Sequence, residues 1–219
     1  MRAAPPEAPV MPHSDSTPEE RKLLTGIYGG SFNPIHIGHV ELARQLLGAA
    51  SLDEIWFVVS PHNPLKQQSG LLDDKLRFDM TSAALRDIPS LFASDYEFGL
   101  SKPSFMWNTL QSMSRSYPDR EFVLLIGADN WACFDKWHRH EDILSNYRIV
   151  IYPRSGSPID SAALPAGVTL ADTALIDISS TEIRQRIAEG KEFGHMVPPE
   201  VAEMIIRDGL YGYRKTDAR

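Results

Sequence analysis

Cysteine is almost absent from the chain, since Cys133 is the only one among 219 residues. A single thiol cannot form a disulfide within the chain or supply the several thiolates of a structural zinc site. No stretch approaches the roughly 20 consecutive apolar residues of a membrane-spanning helix. Residues 1–20 also lack the apolar core of a signal peptide. These absences predict a reducing compartment, and we expect a cytoplasmic protein with no membrane partner.

Positive charge is scarce as well, with 22 Lys and Arg against 29 Asp and Glu, a formal net charge of -7. A nucleic-acid-binding protein needs a broad surface of Lys and Arg, because these residues neutralise the phosphates of the backbone. We therefore expect no nucleic-acid partner. Any phosphate-binding site must be cationic only locally.

The remaining composition is that of a soluble globular protein, with 42% hydrophobic and 23% charged residues. This length suits one α/β domain. Residues 1–20 are rich in proline and contain no apolar run, which predicts a disordered N-terminal tail. No repeat or linker divides the rest, so we predict a single folded domain over residues 21–213.

Short apolar runs alternate with segments of helical periodicity along the chain. The runs predict strands over residues 23–28, 55–59, 91–93, 122–126, 148–152 and 174–178. Helices are predicted over residues 40–47, closed by Gly48, and over residues 75–86, 105–115, 180–189 and 199–207. Residues 153–170 predict a long surface connection. Apolar strands that alternate with helices indicate an α/β fold with a doubly wound parallel sheet. Its ligands should bind beyond the carboxyl ends of the strands, where the strand order reverses.

The most informative motif is GGSFNPIHIGH, which extends from Gly29 to His39 between the first strand and the first helix. Glycines allow a ligand close to the backbone, and a helix start offers free N–H groups to a phosphate. His36 and His39 are three residues apart, so both rings face one point if the helix begins near residue 37. Zinc is the weaker interpretation, because a third ligand and a glutamate are missing. The motif predicts phosphate chemistry.

A second motif, ISSTEIR, occupies residues 178–184 at another predicted strand-to-helix junction. Ser179 and Glu182 fit a capping box, so the segment at least starts a helix. Hydroxyl groups, free helix N–H groups and Arg184 in the first turn also make an anion site. We expect this segment both to start a helix and to bind an anion.

Three further segments follow predicted strands and carry weaker signals. Asp129 can accept hydrogen bonds from ribose hydroxyls, although it can also simply cap the next helix. Trp137 can stack on an aromatic ring of a ligand, although such a residue is often part of the core. Lys66 can reach a triphosphate or remain solvated. Residues 104–110 can border the same cleft.

These segments, in this order over residues 23–210, resemble the nicotinate/nicotinamide mononucleotide adenylyltransferase family in its bacterial form. The resemblance implies a Rossmann-like nucleotidyltransferase fold. It also implies adenylyl transfer from ATP to the 5′-phosphate of nicotinate mononucleotide, a step of NAD biosynthesis that gives deamido-NAD and pyrophosphate. We expect direct in-line attack without a covalent intermediate, with Mg²⁺ carried by the ATP phosphates and no metal site on the protein. A homo-oligomer is possible.

The motifs and the resemblance together assign residues of this chain to roles. Those expected to act on the α-phosphate are His36, His39, Lys66 and Arg184. Those expected to bind ATP are Gly29, Gly30, Ser31, Phe32, His36, His39, Ile178, Ser179, Ser180 and Arg184. Those expected to bind the mononucleotide are Asn33, Lys66, Thr109, Asp129 and Trp137.

Two segments depart from the pattern of the family. Many relatives carry P-P-H-[KR] after the second strand, where residues 64–66 of this chain are PLK; His62 is the nearest histidine. Relatives also tend to have S-Y-T-x-x-T-L, where residues 104–110 are SFMWNTL, so some of the hydroxyl groups near the nicotinate end are missing.

Three other interpretations remain. A pantetheine-phosphate adenylyltransferase often has T-x-G-H, whereas this chain has His36 and adds the segment from Asp129 to Trp137. A class I aminoacyl-tRNA synthetase would be longer and would carry a lysine-rich second signature. A nucleotide-binding sensor would keep the cleft without turnover. The sequence leaves the choice between the acid and the amide mononucleotide open.

Overall fold

A six-stranded parallel sheet organises the part of the chain that the computed structural model describes, residues 21–61 and 70–214. The strands are β1 (Leu23–Gly30), β2 (Glu54–Val59), β3 (Leu91–Ser94), β4 (Arg120–Gly127), β5 (Arg148–Tyr152) and β6 (Val168–Leu170). Their order is β3-β2-β1-β4-β5-β6, and all neighbours are parallel. The predicted doubly wound parallel sheet is confirmed.

Helices cover both faces of this sheet. They are α1 (Ile37–Ala49), α2 (Asp74–Leu85), α3 (Met106–Ser116), α4 (Ala128–Trp131), α5 (His140–Asn146), α6 (Ser180–Ala188) and α7 (Pro199–Asp208). One core cluster joins the sheet to α1, α2, α6 and α7, and a second joins it to α3 and α5. Successive residues of β4 belong to different clusters, since Val123 and Leu125 lie in the first and Leu124 in the second. Burial on both faces explains why the strand is apolar throughout.

The order of the strands reverses next to β1. The chain steps outward from β1 to β2 and β3, then returns to the opposite side of β1 to form β4. Carboxyl ends of parallel strands meet at one edge of the sheet, so the segments that follow Gly30 and Gly127 begin side by side. This is the switch point at which doubly wound folds bind ligands.

The predicted strand over residues 174–178 is wrong, and so is the interpretation of residues 153–170 as a connection alone. The edge strand is β6, which pairs with β5 through Ile149↔Val168 and Ile151↔Leu170. Residues 171–179 have no regular secondary structure. They run along α1, where the amide of Ala174 donates to Oε1 of Gln45. Ile176 and Ile178 of this segment pack against the core cluster while Leu175 is exposed, and none of the three pairs with a strand.

The N-terminal tail over residues 1–20 and the loop residue Lys66 lie outside the described residues. The prediction of one domain over residues 21–213 stays a prediction. Within the described ranges, no helix is both long enough and apolar enough to cross a membrane.

Candidate active site

The two histidines of the first motif cap α1 themselves. His36 is the N-cap residue, and its Nδ1 accepts a hydrogen bond from the backbone N–H of His39 at 3.3 Å. In return, Nδ1 of His39 accepts from the backbone N–H of His36 at 3.2 Å. The rings stack with centroids 3.5 Å apart. The expected helix start and the shared orientation of the two rings are both found.

This reciprocal cap determines which ring nitrogen carries the proton. A neutral imidazole has one donor and one acceptor nitrogen, so an accepting Nδ1 places the proton on Nε2. Burial, with a smaller contribution from the charge of Arg154, lowers the pKa of His36 to about 3. His36 is therefore neutral near pH 7 and offers an N–H donor rather than a positive charge.

Gly38 lets residues 174–178 approach the start of α1. A Cβ atom at this position would lie 2.9 Å from Cγ2 of Ile176 and 3.0 Å from Nδ1 of His36. Both distances are too short, so a larger residue would push away the segment or the ring. Glycine is thus required where the two chain segments meet.

The second motif binds directly to the first. Ser179 caps α6 by accepting from the N–H of Glu182 at 3.1 Å, which is one half of the predicted capping box; the carboxylate of Glu182 accepts from Nε of Arg186 at 3.0 Å instead. The hydroxyl of Ser180 donates to the carbonyl of Pro34 at 2.9 Å, and Nη1 of Arg184 donates to the carbonyl of Asn33 at 2.8 Å. Hydrogen bonds across about 150 residues of chain therefore hold the start of α6 against the loop before α1.

A cavity of about 340 Å³ lies where these segments meet. Its lining is Tyr28, His36, Gly38, His39, Leu42, residues 153–155 and residues 174–179. A neighbouring cavity of about 580 Å³ shares Gly38, Ile176 and Ile178 with it. Four of the predicted ATP-binding residues, His36, His39, Ile178 and Ser179, line the first cavity.

The other predicted ATP-binding residues, which include Ser180 and Arg184, do not line this cavity. Gly29 and Gly30 end β1. The ring of Phe32 is buried and packs edge-on against the ring of His39, with centroids 5.2 Å apart. The carbonyl of Ser31 accepts a hydrogen bond from Arg77.

Arg77 is fully buried, and its role was not anticipated from the sequence. Besides Ser31, its guanidinium donates to the carbonyl of Leu72 at 3.0 Å and to the carboxylate of Asp74 at 2.6 Å. It therefore ties α2 to the loop that carries the first motif. In the sequence it is merely a cation within a helical pattern, which gives no sign of burial.

Asn33, a predicted mononucleotide contact, is engaged by the protein through both ends of its amide. Nδ2 donates to the carbonyl of Gly70 at 2.9 Å. Oδ1 accepts from the N–H of Leu72 at 3.3 Å and from the hydroxyl of Tyr211 at 2.9 Å. In this arrangement the side chain joins the first motif to residues 70–72 and to the C-terminal region.

The other predicted mononucleotide contacts lie in different environments. Thr109 is fully buried and donates to Oε1 of Glu97 at 2.8 Å. Asp129 lies inside α4, whose N-cap is Gly127, so the alternative role of Asp129 as an N-cap is wrong. Trp137 packs against Phe134 with ring centroids 5.3 Å apart, and its Nε1 is buried without a hydrogen-bond partner among the described residues.

Arg154 is a cation of the cavity that the sequence analysis missed, because it begins the segment interpreted as a surface connection. Its guanidinium lies over the ring of Tyr152 at 5.3 Å, and Nε is 3.9 Å from Oδ1 of Asp129. A signal was present in the sequence: Arg154 comes two residues after β5, at the same sheet edge as the first motif.

Histidine, cysteine and acidic residues do not gather into a metal-binding group of three or more anywhere in residues 21–61 and 70–214. Among the described residues, Arg154 lines the first cavity and Arg44 lines the neighbouring one, whereas Arg184 lines neither and donates to the carbonyl of Asn33.

Comparison with known proteins identifies close relatives. The profile of the cytidylyltransferase-like family matches residues 27–186. A protein of Bacteroides fragilis named probable nicotinate-nucleotide adenylyltransferase is 46% identical over 85% of this chain and 92% of its own length. One of Flavobacterium johnsoniae with the same name is 41% identical over 86% and 99%. The solved Plasmodium falciparum nicotinic acid mononucleotide adenylyltransferase complexed with NaAD matches with a TM-score of 0.73 at 21% identity, over 88% of this chain and 98% of that one. This likeness confirms the predicted Rossmann-like nucleotidyltransferase fold.

Proposed function

The chain belongs to the nicotinate-nucleotide adenylyltransferases of the cytidylyltransferase-like family, and from this premise we propose that it transfers the adenylyl group of ATP to the 5′-phosphate of nicotinate mononucleotide. The products are deamido-NAD and pyrophosphate. The observation that carries the proposal is the direct hydrogen bonding of α6 to the loop before α1, because it brings the two predicted phosphate-binding motifs to one cavity.

Charge is the central problem of this reaction. ATP and the mononucleotide phosphate are both anions, and they repel each other strongly where water is excluded. The protein has a net charge of -7, so its cations must be concentrated at the cleft. Arg154 and Arg184 supply fixed positive charge there, and Lys66 is expected to add to it. Mg²⁺ bound to the ATP phosphates would neutralise part of the remaining charge.

The chemistry we propose is a single in-line displacement. An oxygen of the mononucleotide phosphate attacks the α-phosphorus of ATP, the bond from that phosphorus to the bridging oxygen breaks, and pyrophosphate leaves with the electron pair. The attacking phosphate is already ionised, so neither a side-chain nucleophile nor a general base is needed. The Nε2–H groups of His36 and His39 donate to the α-phosphate oxygens as negative charge develops on them.

Binding of the mononucleotide is assigned to the far side of the switch point. Asp129, exposed at the start of α4, is placed to accept hydrogen bonds from ribose hydroxyls. Trp137 supplies an indole for stacking on the pyridine ring. Asn33 and Thr109 act on substrate only indirectly in this scheme, because their polar atoms bond to Gly70, Leu72 and Glu97.

The test is a comparison of acceptors with the purified chain, ATP and Mg²⁺, following pyrophosphate release. We expect the largest kcat/KM with nicotinate mononucleotide, a smaller value with nicotinamide mononucleotide and none with phosphopantetheine. Mass spectrometry should identify deamido-NAD as the product. Turnover with phosphopantetheine alone would support the pantetheine-phosphate enzyme instead. ATP binding without pyrophosphate release from any acceptor would indicate a sensor.

A further inference from the structure

The strongest unassigned feature of the cavity is the environment of Arg154. Its backbone is held in a tight turn, where the N–H of Ser157 donates to the carbonyl of Arg154 at 3.2 Å and Gly156 adopts a φ of +78°. The turn follows β5 directly, next to the carboxyl end of β4. The backbone of Arg154 is therefore fixed by a hydrogen-bonded turn, and its side chain lines the same cavity as His36 and His39.

The hydrogen bonds of this guanidinium are incomplete. Nε of Arg154 is buried without a hydrogen-bond partner among the described residues. The side chain interacts with Tyr152, which also interacts with Tyr28 on the wall of the same cavity, but this leaves Nε itself unbonded. An N–H group removed from water without a partner destabilises the protein. Such a group persists where a ligand supplies the acceptor, and an anion suits a guanidinium best.

Two other arginines whose side chains are largely buried, Arg77 and Arg120, have partners at hydrogen-bond distance. Arg77 donates to two carbonyls and a carboxylate, all at hydrogen-bond distance. Arg120 reaches the carboxylates of Glu54 and Asp119 at 2.9 and 2.6 Å. The nearest carboxylate oxygen to Nε of Arg154, from Asp129, is 3.9 Å away. That distance is beyond a hydrogen bond, so Asp129 does not satisfy Nε.

The charge of Arg154 reaches the histidine pair. It contributes to the lowered pKa of His36, second to burial, which means that the two groups sense each other across the cavity. An anion bound at Nε2 of His36 would lie within the field of the guanidinium. Neutral imidazole donors then provide direction, and the arginine provides the charge that they lack.

We propose that Arg154 is a phosphate-binding residue of the adenylyl-transfer site, which donates from its guanidinium to the ATP phosphates bound by His36 and His39. The assignment rests on the proposed function for the identity of the nucleotide. The anion-binding property of the cavity does not depend on it.

The experiment measures binding by titration calorimetry of inorganic tripolyphosphate, ATP and adenosine to the full chain. Arg154→Met should weaken tripolyphosphate and ATP about 10-fold or more and leave adenosine unchanged, because only the first two carry phosphate. Arg154→Lys should recover part of the loss, since it restores the charge without the planar fork. Arg148→Met, an exposed arginine at the opposite end of the same strand, serves as the matched control and should change each affinity less than twofold.

Two results would overturn the inference. One is an Arg154→Met protein that melts like wild type and binds tripolyphosphate equally well. The other is an Asp129→Asn variant that loses tripolyphosphate affinity as Arg154→Met does, because the guanidinium would then act only by pairing with that carboxylate. If Arg154→Met loses phosphate affinity but wild type transfers no adenylyl group, the proposed function fails and the phosphate site stands. If wild type is active and Arg154→Met binds tripolyphosphate normally, the proposed function stands and the assignment of Arg154 fails.

Discussion

The two sides of the switch point use their polar side chains differently. On the triphosphate side, Ser180 and Arg184 reach from α6 to the loop before α1, and the histidines cap the helix with Nδ1 while Nε2 carries the proton. On the mononucleotide side, the hydroxyl of Thr109 donates a hydrogen bond to the carboxylate of Glu97. On the first side, the histidine N–H donors are already oriented before a ligand binds. On the second side, the hydroxyl group is already bonded within the protein core.

This difference shows that the type of a residue does not reveal whether its polar atoms are free to bind a ligand. A threonine near a predicted nicotinate site has the right hydroxyl, yet a buried carboxylate takes it. Arg154 lies in a segment interpreted as a surface connection, yet its Nε lacks a hydrogen-bond partner at the wall of the cavity. The contrast between the two sides can be tested by substitution.

The largest effect is expected for His39→Ala. Loss of one preorganised donor to the developing charge should lower kcat about 100-fold or more. The helix also loses an acceptor in its capping box, which should cost about 1 kcal/mol of unfolding free energy. Steady-state kinetics and thermal melting measure the two effects. His195→Ala, an exposed histidine, is the control. A variant as active as wild type would remove His39 from the mechanism.

Arg184→Ala should have an intermediate effect. It removes a positive charge and the hydrogen bond to the carbonyl of Asn33, so we expect the ATP dissociation constant to rise about 10-fold. Arg186→Ala is the matched control two residues later, because this arginine pairs with Glu182 at the surface. Calorimetric titration with ATP distinguishes them. Equal affinities in the two variants would count against the site on α6.

Thr109→Val tests whether the hydroxyl of Thr109 serves the protein core rather than the mononucleotide. Because the hydroxyl serves Glu97, the KM for nicotinate mononucleotide should stay within twofold of the wild-type value. The unfolding free energy should fall by about 1–3 kcal/mol, since a buried carboxylate loses a donor. Urea denaturation and kinetics with varied mononucleotide measure both quantities. A higher KM at unchanged stability would restore the direct substrate contact and remove the contrast between the two sides.

The smallest expected change is in the titration of His36. With its pKa lowered to about 3, the ring should show no protonation shift between pH 5 and 8 in NMR spectra. A histidine in a short peptide, with a pKa of about 6.5, is the reference. The unfolded chain takes up this proton near pH 6.5 and the folded chain does not. The contribution of His36 therefore lowers stability as pH falls from about 6.5 toward 3, and it vanishes above that range. A midpoint near 6.5 in the folded protein would contradict the buried, neutral ring.

Much of the architecture was predictable because it depends on neighbours in sequence. The burial of β4 on both faces appears directly as an apolar run, and the shared orientation of His36 and His39 follows from their spacing once α1 begins at Ile37. Residues 174–178 were mistaken for a strand for a related reason. The apolar residues Ile176 and Ile178 do pack against the core, but an apolar pattern does not show whether the packing surface is a strand or a helix.

Local patterns were thus sufficient for the parallel sheet, for the motif after β1 and for the cap of α6 at Ser179. The partner of each polar group came instead from packing. Asn33 forms hydrogen bonds with Gly70 and Tyr211 because strand order and loop paths bring together segments that are far apart in the chain. The same packing decides that Nε of Arg154 lies where no acceptor is within hydrogen-bond distance. A hydrogen bond requires two groups within about 3 Å, and periodicity along one segment carries no information about the other.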